Sequence, residues 1–314
     1  MGDNIMFWVL FNVFVLGMLA LDLFVFHRHA HEVKIKEALG FSAFWIALAL
    51  AFNVLIYYTM GTEPALEFLT AYLIEKSLSV DNLFVFIVLF NYFKIPPIFQ
   101  HKILFWGIIG ALVLRAIFIV VGVALLAKFH FIIYILGAFL IFTGIKMATT
   151  SHEPEINPRA NPVVKFISRF MPVTNELVGG KFFVKREGMI FATPLFIVLL
   201  MVETTDLVFA MDSIPAILAI SRDTFIVYTS NVFALLGLRA LYFALSGIMQ
   251  LFHYLHYGLA LILVFIGIKL VLSDIYHFDM RYALLIVGGI LATSVIASLL
   301  FPKKDSDLPV PPTN

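Results

Sequence analysis

Hydrophobic residues occur along this chain in long runs and not in the alternating or one-faced patterns of soluble strands and helices. Runs of the length a bilayer helix needs, about 20 residues, lie near 5–26, 40–60, 66–93, 103–127, 131–149, 189–220, 225–250, 256–273 and 282–301. They predict an all-α, polytopic transmembrane helical bundle of about nine spans in a single domain over 1–301. The first run follows Met1-Gly2-Asp3-Asn4 without a basic segment or a small-residue cleavage pattern, so it reads as a retained helix. One sizeable polar segment, 150–188, is punctuated by Pro154, Pro158, Pro162, Pro172 and Gly179-Gly180 and reads as a loop. Within it, Val163 to Phe170 has the composition of a helix lying flat on a membrane. The Pro-rich tail 302–314 is predicted to be disordered.

Composition narrows the class. Of the 314 residues, 62% are hydrophobic and 13% charged, against roughly 45–50% and about 25% in soluble domains. With a mean hydropathy of +1.01 and 34 phenylalanines, a water-soluble enzyme is excluded and most of the surface must face lipid. A net charge of +1 gives no sign of a nucleic-acid partner, and the absence of cysteine removes thiolate ligands, cysteine nucleophiles and disulfides. Most basic residues fall in loops on one side of the predicted topology: Arg28, Lys34 and Lys36, Lys94 and Lys102, the run from Lys146 to Arg186, and Lys303 and Lys304. Lys128, Arg222 and Arg281 lie on the other. The positive-inside rule then places the N-terminus outside and the C-terminus in the cytoplasm, with a bacterial cytoplasmic membrane as the default.

The chain repeats itself. GALVLRAIFIVVG around Arg115 matches ALLGLRALYFALS around Arg239, and FTGIKMA (142–148) matches FIGIKLV (265–271). Upstream, Asp81 opens DNLFVF and Asp206 opens DLVFAM, in register with both later landmarks. Each unit, about 66–149 and 189–273, holds three predicted helices, so the second enters the membrane from the opposite side. That is an inverted repeat, a common build of secondary transporters with a midplane site between the units. A duplicated scaffold without transport has the same signature.

Asp22, Glu75, Asp81, Glu203, Asp206 and Asp212 all lie within apolar runs, where each carboxylate costs about 2.5–3.5 kcal/mol on insertion scales unless it is paired or wetted. Lys76, Arg115 and Arg239 are intramembrane cations available for charge pairing, and they are too few to neutralise six acids. The surplus invites a cation or protons. Glu75, Ser79 and Asn82 share one helix face, and Glu203 and Asp206 share another. Pro215 predicts a kink or unwinding at Asp212-Ser213-Ile214-Pro215, with carbonyls freed beside Asp212. An oxygen-only donor set suits Mn²⁺, Mg²⁺ or Ca²⁺, and spacing does not choose among them. Asp22, near the end of the first helix, reads as a supporting ligand or a snorkelling acid; Asn53 and Asn231 read chiefly as interhelical hydrogen-bond partners. His27, His29 and His31 stand in a loop that is either a metal antenna or simply solvated.

The segments EKSLSVDNLFVF (75–86) and ETTDLVFAMDSIPA (203–216) closely resemble the two signature segments of the TerC family of integral membrane proteins. TSNVFALLGLRALYF (229–243) and LVFIGIKL (263–270) are also similar to that family, and the resemblance covers about 5–301. It implies that the family's acidic positions fall on Glu75, Asp81, Glu203, Asp206 and Asp212. Within the family the chain looks like the bacterial Alx-type members, associated with alkaline-pH induction and manganese export; the family name comes from tellurium resistance. The resemblance therefore implies Mn²⁺ as substrate and efflux as direction, with no permanently bound cofactor. Protons are the expected counter-ion, because carboxylates that release a metal take up protons instead. The competing expectations are a metal-delivery or assembly scaffold that recruits a protein at 150–188, an oxyanion exporter using Arg115 and Arg239, and an intramembrane aspartyl protease using Asp81 and Asp206. The last lacks the motifs of such proteases, and no enzyme is expected.

Overall fold

The computed structural model describes residues 5–21, 35–129, 131–149, 162–174, 176–186, 188–246, 254–276 and 278–300. Its elements are α1 (Ile5–Leu21), α2 (Ile35–Met60), α3 (Thr62–Tyr92), α4 (Pro97–Lys128), α5 (Ile132–Thr149), α6 (Pro162–Phe170), β1 (Phe183–Arg186), β2 (Met189–Ala192), α7 (Pro194–Leu218), α8 (Thr224–Leu236), α9 (Leu238–Leu245), α10 (Leu255–Val271) and α11 (Met280–Leu300). Local chemistry sets several boundaries. Pro97 and Pro194 occupy first-turn positions of α4 and α7, where a missing N–H costs nothing. The Asp223 carboxylate caps α8 by accepting from the Phe225 and Ile226 amides at 2.8 and 3.4 Å.

Within the described residues, each of the nine predicted apolar runs overlaps a helix or helix pair. Among the described residues, five helices (α2, α4, α5, α7 and α11) are long and apolar enough to cross a membrane, and α8 with α9 makes a sixth, broken span. Their large outward side chains, such as Val54, Val113, Ile117, Val120 and Leu285, are exposed, as expected for lipid-facing surface. α1 and α10 are shorter, at 17 residues each, and α3 carries Glu63, Glu67, Glu75, Lys76 and Asp81.

Three expectations need correction. Residues 189–192 do not start a helix: they pair as β2 with β1 in a two-stranded antiparallel hairpin, turned at Gly188 with φ +80°, so 150–188 is not merely loop. α7 does not unwind at Asp212–Pro215 but stays helical to Leu218. The proline removes only its own donation to Met211, and the turns around it hold through Ala219 N–H to the Pro215 carbonyl at 3.0 Å. The break falls instead at Gly237, where α8 and α9 meet at 40°. Residues 22–34, with Asp22 and the three histidines, 150–161 and the tail 302–314 lie outside the described residues.

The packing exchanges the two sequence units. α3 lies on α8 and α4 on α7, while the equivalent helices α5 and α10 pack on each other, as do α3 and α7. α2 and α1 cover α3, α8 and α9 on one side, through rings including Phe11, Phe52, Phe68, Phe225 and Phe233; α11 covers α10 and α3 on the other. Glycine controls the α5–α10 contact. A Cβ on Gly144 would lie 2.7 Å from the Ala260 carbonyl oxygen, and one on Gly267 would lie 2.7 Å from that of Gly137. Pairing 137 with 267 and 144 with 260 means that the helices run antiparallel. Gly144 and Gly267 are also the matching glycines of FTGIKMA and FIGIKLV.

Gly144→Val and Gly267→Val are each expected to cost about 1–3 kcal/mol through backbone overpacking, read as a lowered thermal midpoint of the purified protein in detergent. Gly288→Ala, with no atom within 4 Å of the new Cβ, is expected to leave the midpoint unchanged.

Candidate functional site

The centre of the bundle is organised by Arg115 on α4, which is 2% exposed. Its guanidinium forms an ion pair with Glu75 of α3, a second with Asp206 of α7 at 3.1 Å, and a hydrogen bond to the Asn231 carbonyl oxygen of α8 at 3.0 Å. One side chain therefore ties together four helices from both units. Asn231 is oriented for this role because its amide nitrogen donates to the Val227 carbonyl of its own helix at 2.8 Å. The geometry uses the forked donors of arginine, which a lysine could not reproduce.

Satisfaction is incomplete around this hub. Among the described residues, Glu75 Oε2, Ser79 Oγ, Asn82 Oδ1, Asp206 Oδ2, Glu203 Oε2 and Ser213 Oγ are buried without a hydrogen-bond partner. Buried polar atoms are normally paired, and a group of orphaned oxygens beside carboxylates needs an explanation. Glu75, Ser79 and Asn82 do share a buried face of α3. Glu75, Asn82 and Arg115 line a 230 Å³ cavity that continues to Thr143, Lys146, Asp212 and Ser213. Asp81 is helical on α3, but its side chain lies outside those described.

The carboxylates do not close into one coordination shell. Among the described residues, no three Asp, Glu or His side chains converge on a common ion position. The arginine fork stands between Glu75 and Asp206, and continuous α7 turns Asp212 to a different side from Asp206. Glu203 points toward α4, where Gly110 leaves it room: a Cβ there would overlap the carboxylate.

Among the described residues Lys76 pairs with no carboxylate, unlike the charge-pairing role expected for it. Its ammonium donates to the Ala234 carbonyl at 3.1 Å, next to the break at Gly237, where a Cβ would lie 2.7 Å from it. The lysine thus satisfies a carbonyl near the C-terminal, negative end of α8. Arg239 is buried on α9 one turn beyond. Lys146, counted from sequence among the loop charges, sits in the last turn of α5 and lines the central cavity beside Asp212. Sequence reasoning passed over Lys146, Thr143 and Gly110 as site residues. The repeat had marked Lys146 as a landmark, while Gly110 gave no signal distinct from ordinary helix packing.

The family model described as "Integral membrane protein TerC family" matches residues 60–306. The chain is 49% identical over 306 residues to an uncharacterised membrane protein of Myxococcus xanthus, covering 96% of each chain. It is 47% identical over 298 residues to an Escherichia coli (strain K12) protein provisionally named a membrane-bound redox modulator, Alx, covering 92% of each. An uncharacterised membrane protein of Rickettsia bellii is 42% identical over 295 residues, or 94% of this chain and 97% of that one. No solved structure matches.

Arg115→Met is expected to destabilise the fold by about 3–5 kcal/mol, because it leaves two buried carboxylates unpaired. Adding Glu75→Gln to Arg115→Met is expected to recover part of that loss. Thermal unfolding of the single and double variants in detergent measures both effects; a double variant no more stable than the single one would contradict the pairing.

Proposed function

The chain belongs to the TerC family of integral membrane proteins, and from that premise we propose that it is a secondary transporter exporting a divalent metal ion, Mn²⁺ foremost, from the cytoplasm. The observation that carries this reading is the set of unpartnered buried oxygens on Glu75, Asn82, Asp206, Glu203 and Ser213 around one arginine. A carrier needs a site that is strong enough to strip water from an ion and weak enough to release it. Carboxylates already held by Arg115 meet both needs, because the guanidinium stabilises them when the ion is gone and competes with the ion when it arrives. All available donors are oxygen, which suits Mn²⁺, Mg²⁺ and Ca²⁺; the choice of manganese follows the family resemblance.

In this reading the protein crosses a bacterial inner membrane nine times, with the N-terminus outside, and its two three-helix units are inverted repeats. The antiparallel α5–α10 crossing at matched glycines supports the inversion, since equivalent helices of inverted units run in opposite directions. Glu75, Asp81, Glu203, Asp206 and Asp212 bind the ion in turn or together as the units rock, which explains why they need not converge in every state. Protons are the counter-ion, loading the carboxylates once the metal leaves. Transport, not catalysis, is the proposed activity. The Escherichia coli relative is named for redox modulation. This chain, without cysteine, has no thiol–disulfide couple of its own, and a redox influence through the metal it moves fits the carrier reading.

A second reading, a scaffold for metal delivery, draws on α6, where Phe166 is exposed, and on the hairpin, where exposed Met189 and Ile190 pair with Arg186 and Lys185. Flux separates the two. Proteoliposomes of the purified protein are expected to move Mn²⁺, and Asp206→Asn and Asp212→Asn to reduce that flux by at least about tenfold, the effect of losing one charged contact worth about 1.4 kcal/mol. Collapsing the pH gradient is expected to slow it. Absence of flux for Mn²⁺, Ca²⁺ and Mg²⁺ in well-folded protein would sink the carrier reading, and flux indifferent to the gradient would sink proton coupling.

A further inference from the structure

A second cavity, 320 Å³ in volume, lies where α3 begins and α7 and α10 end. Its polar walls include Glu67, Arg222, Lys269 and Ser273. Glu67 accepts a hydrogen bond from the Ser221 hydroxyl at 2.6 Å. Lys269 is only 9% exposed, and among the described residues it has neither a hydrogen bond nor an ion pair, although it stands close enough to Glu67 to interact electrostatically. Glu63 and Asp223 also face Glu67 electrostatically, so the neighbourhood as a whole carries more acid than base.

This cavity is stacked on the first. Glu67 and Glu75 are eight residues apart on α3, which separates them by about 12 Å along the helix, and α7 and α10 contribute walls to both cavities. Along α3 between the two acids, Ala71 and Ile74 are buried in one apolar cluster with Ile214 and with Leu218 and Leu270 of the second cavity's wall, an apolar plug at that depth. A hydrated ion cannot pass such a plug without its opening.

The repeat relates the two lysines. Lys146 follows Gly144 and Lys269 follows Gly267 at matching positions, and the antiparallel crossing sends them toward opposite ends of the bundle. Each then stands beside a carboxylate that lines a cavity: Lys146 beside Asp212, Lys269 beside Glu67.

We propose that the second cavity is the opposite vestibule of the conduction path, that Glu67 is a further carboxylate binding the divalent cation there, and that Lys269 is a tethered cation competing with it for Glu67. This rests on the carrier reading. While the plug is closed, the nearby ammonium offsets the charge of Glu67 without pairing with it; an ion emerging through the opened plug binds the carboxylate against that repulsion, which in turn favours release to the medium. The pair makes the site shallow, which a vestibule requires.

The test uses the full-length protein in oriented proteoliposomes, with Mn²⁺ flux measured from each face. Glu67→Gln is expected to raise the half-saturating Mn²⁺ concentration about tenfold from one face only, the loss of one charge-assisted contact. Lys269→Met is expected to lower it from that same face, and Glu67→Asp to retain near-wild-type behaviour. Equal shifts from both faces, or none, against an active wild type would overturn the proposal. An inactive wild type would instead overturn the carrier reading beneath it. The cysteine-free chain permits a second measurement that tolerates poor transport by the variants. Ser273→Cys and Thr143→Cys are expected to react with a membrane-impermeant thiol reagent from opposite faces, and Mn²⁺ is expected to slow the reaction at Ser273→Cys. Labelling of both from one face would show that the cavities are not opposite vestibules.

Discussion

Burying Arg115 among apolar helices is tolerable only because Glu75, Asp206 and Asn231 meet it there, and most of the architecture can be read as the means of delivering those groups. α3 and α7 come from different sequence units, pack on each other, and direct their acids at the same guanidinium. α8 supplies the amide. Removing any one group would leave another without its partner in a medium that cannot hydrate it. The same constraint leaves oxygen donors over: the arginine satisfies only one oxygen of each carboxylate, and the second oxygens of Glu75 and Asp206 have no partner among the described residues.

Around that hub, close approach is governed by glycine. Gly137, Gly144 and Gly267 let α5 and α10 touch backbone to backbone, and Gly110 makes room for the Glu203 carboxylate against α4. Inside a membrane, where apolar side chains gain little by leaving lipid for protein, small residues allow the dispersion contacts that hold helices together. The break at Gly237 follows related logic. A helix interrupted in the membrane exposes carbonyls, and Lys76 answers the one at Ala234. A buried cation is thereby spent on a backbone group, which leaves the carboxylates less neutralised than a count of charges in the sequence would suggest.

Much of the fold was legible as pattern. Within the described residues each of the nine apolar runs overlaps a helix or helix pair, five or six of them long and apolar enough to cross a membrane, because length and hydropathy of a contiguous segment need no knowledge of neighbours. FTGIKMA and FIGIKLV marked α5 and α10 as matching segments, and their glycines lie in the antiparallel contact between those helices. The hairpin at 183–192 was hidden because Met189-Ile190-Phe191-Ala192 is as apolar as a helix start, and only Gly188 and Pro194 on either side distinguish it. The unwinding expected at Pro215 did not occur because one lost hydrogen bond in a helix buried on several sides is held by its packing.

By itself the sequence determined the membrane class, the identity of the intramembrane acids and cations, and the register of the two units, because each is a property of residue type or spacing along one chain. The tertiary structure decided the partners: that Arg115 faces Glu75 and Asp206, that Lys76 faces a carbonyl, that Lys146 and Lys269 stand at two cavities, and that an apolar plug lies between Glu75 and Glu67. Those assignments depend on the rotation and depth of helices far apart in the chain. Nearly uniform apolar spans fix neither quantity, because the bilayer accepts any face of such a helix, and only the few glycines and charges that must meet select one arrangement.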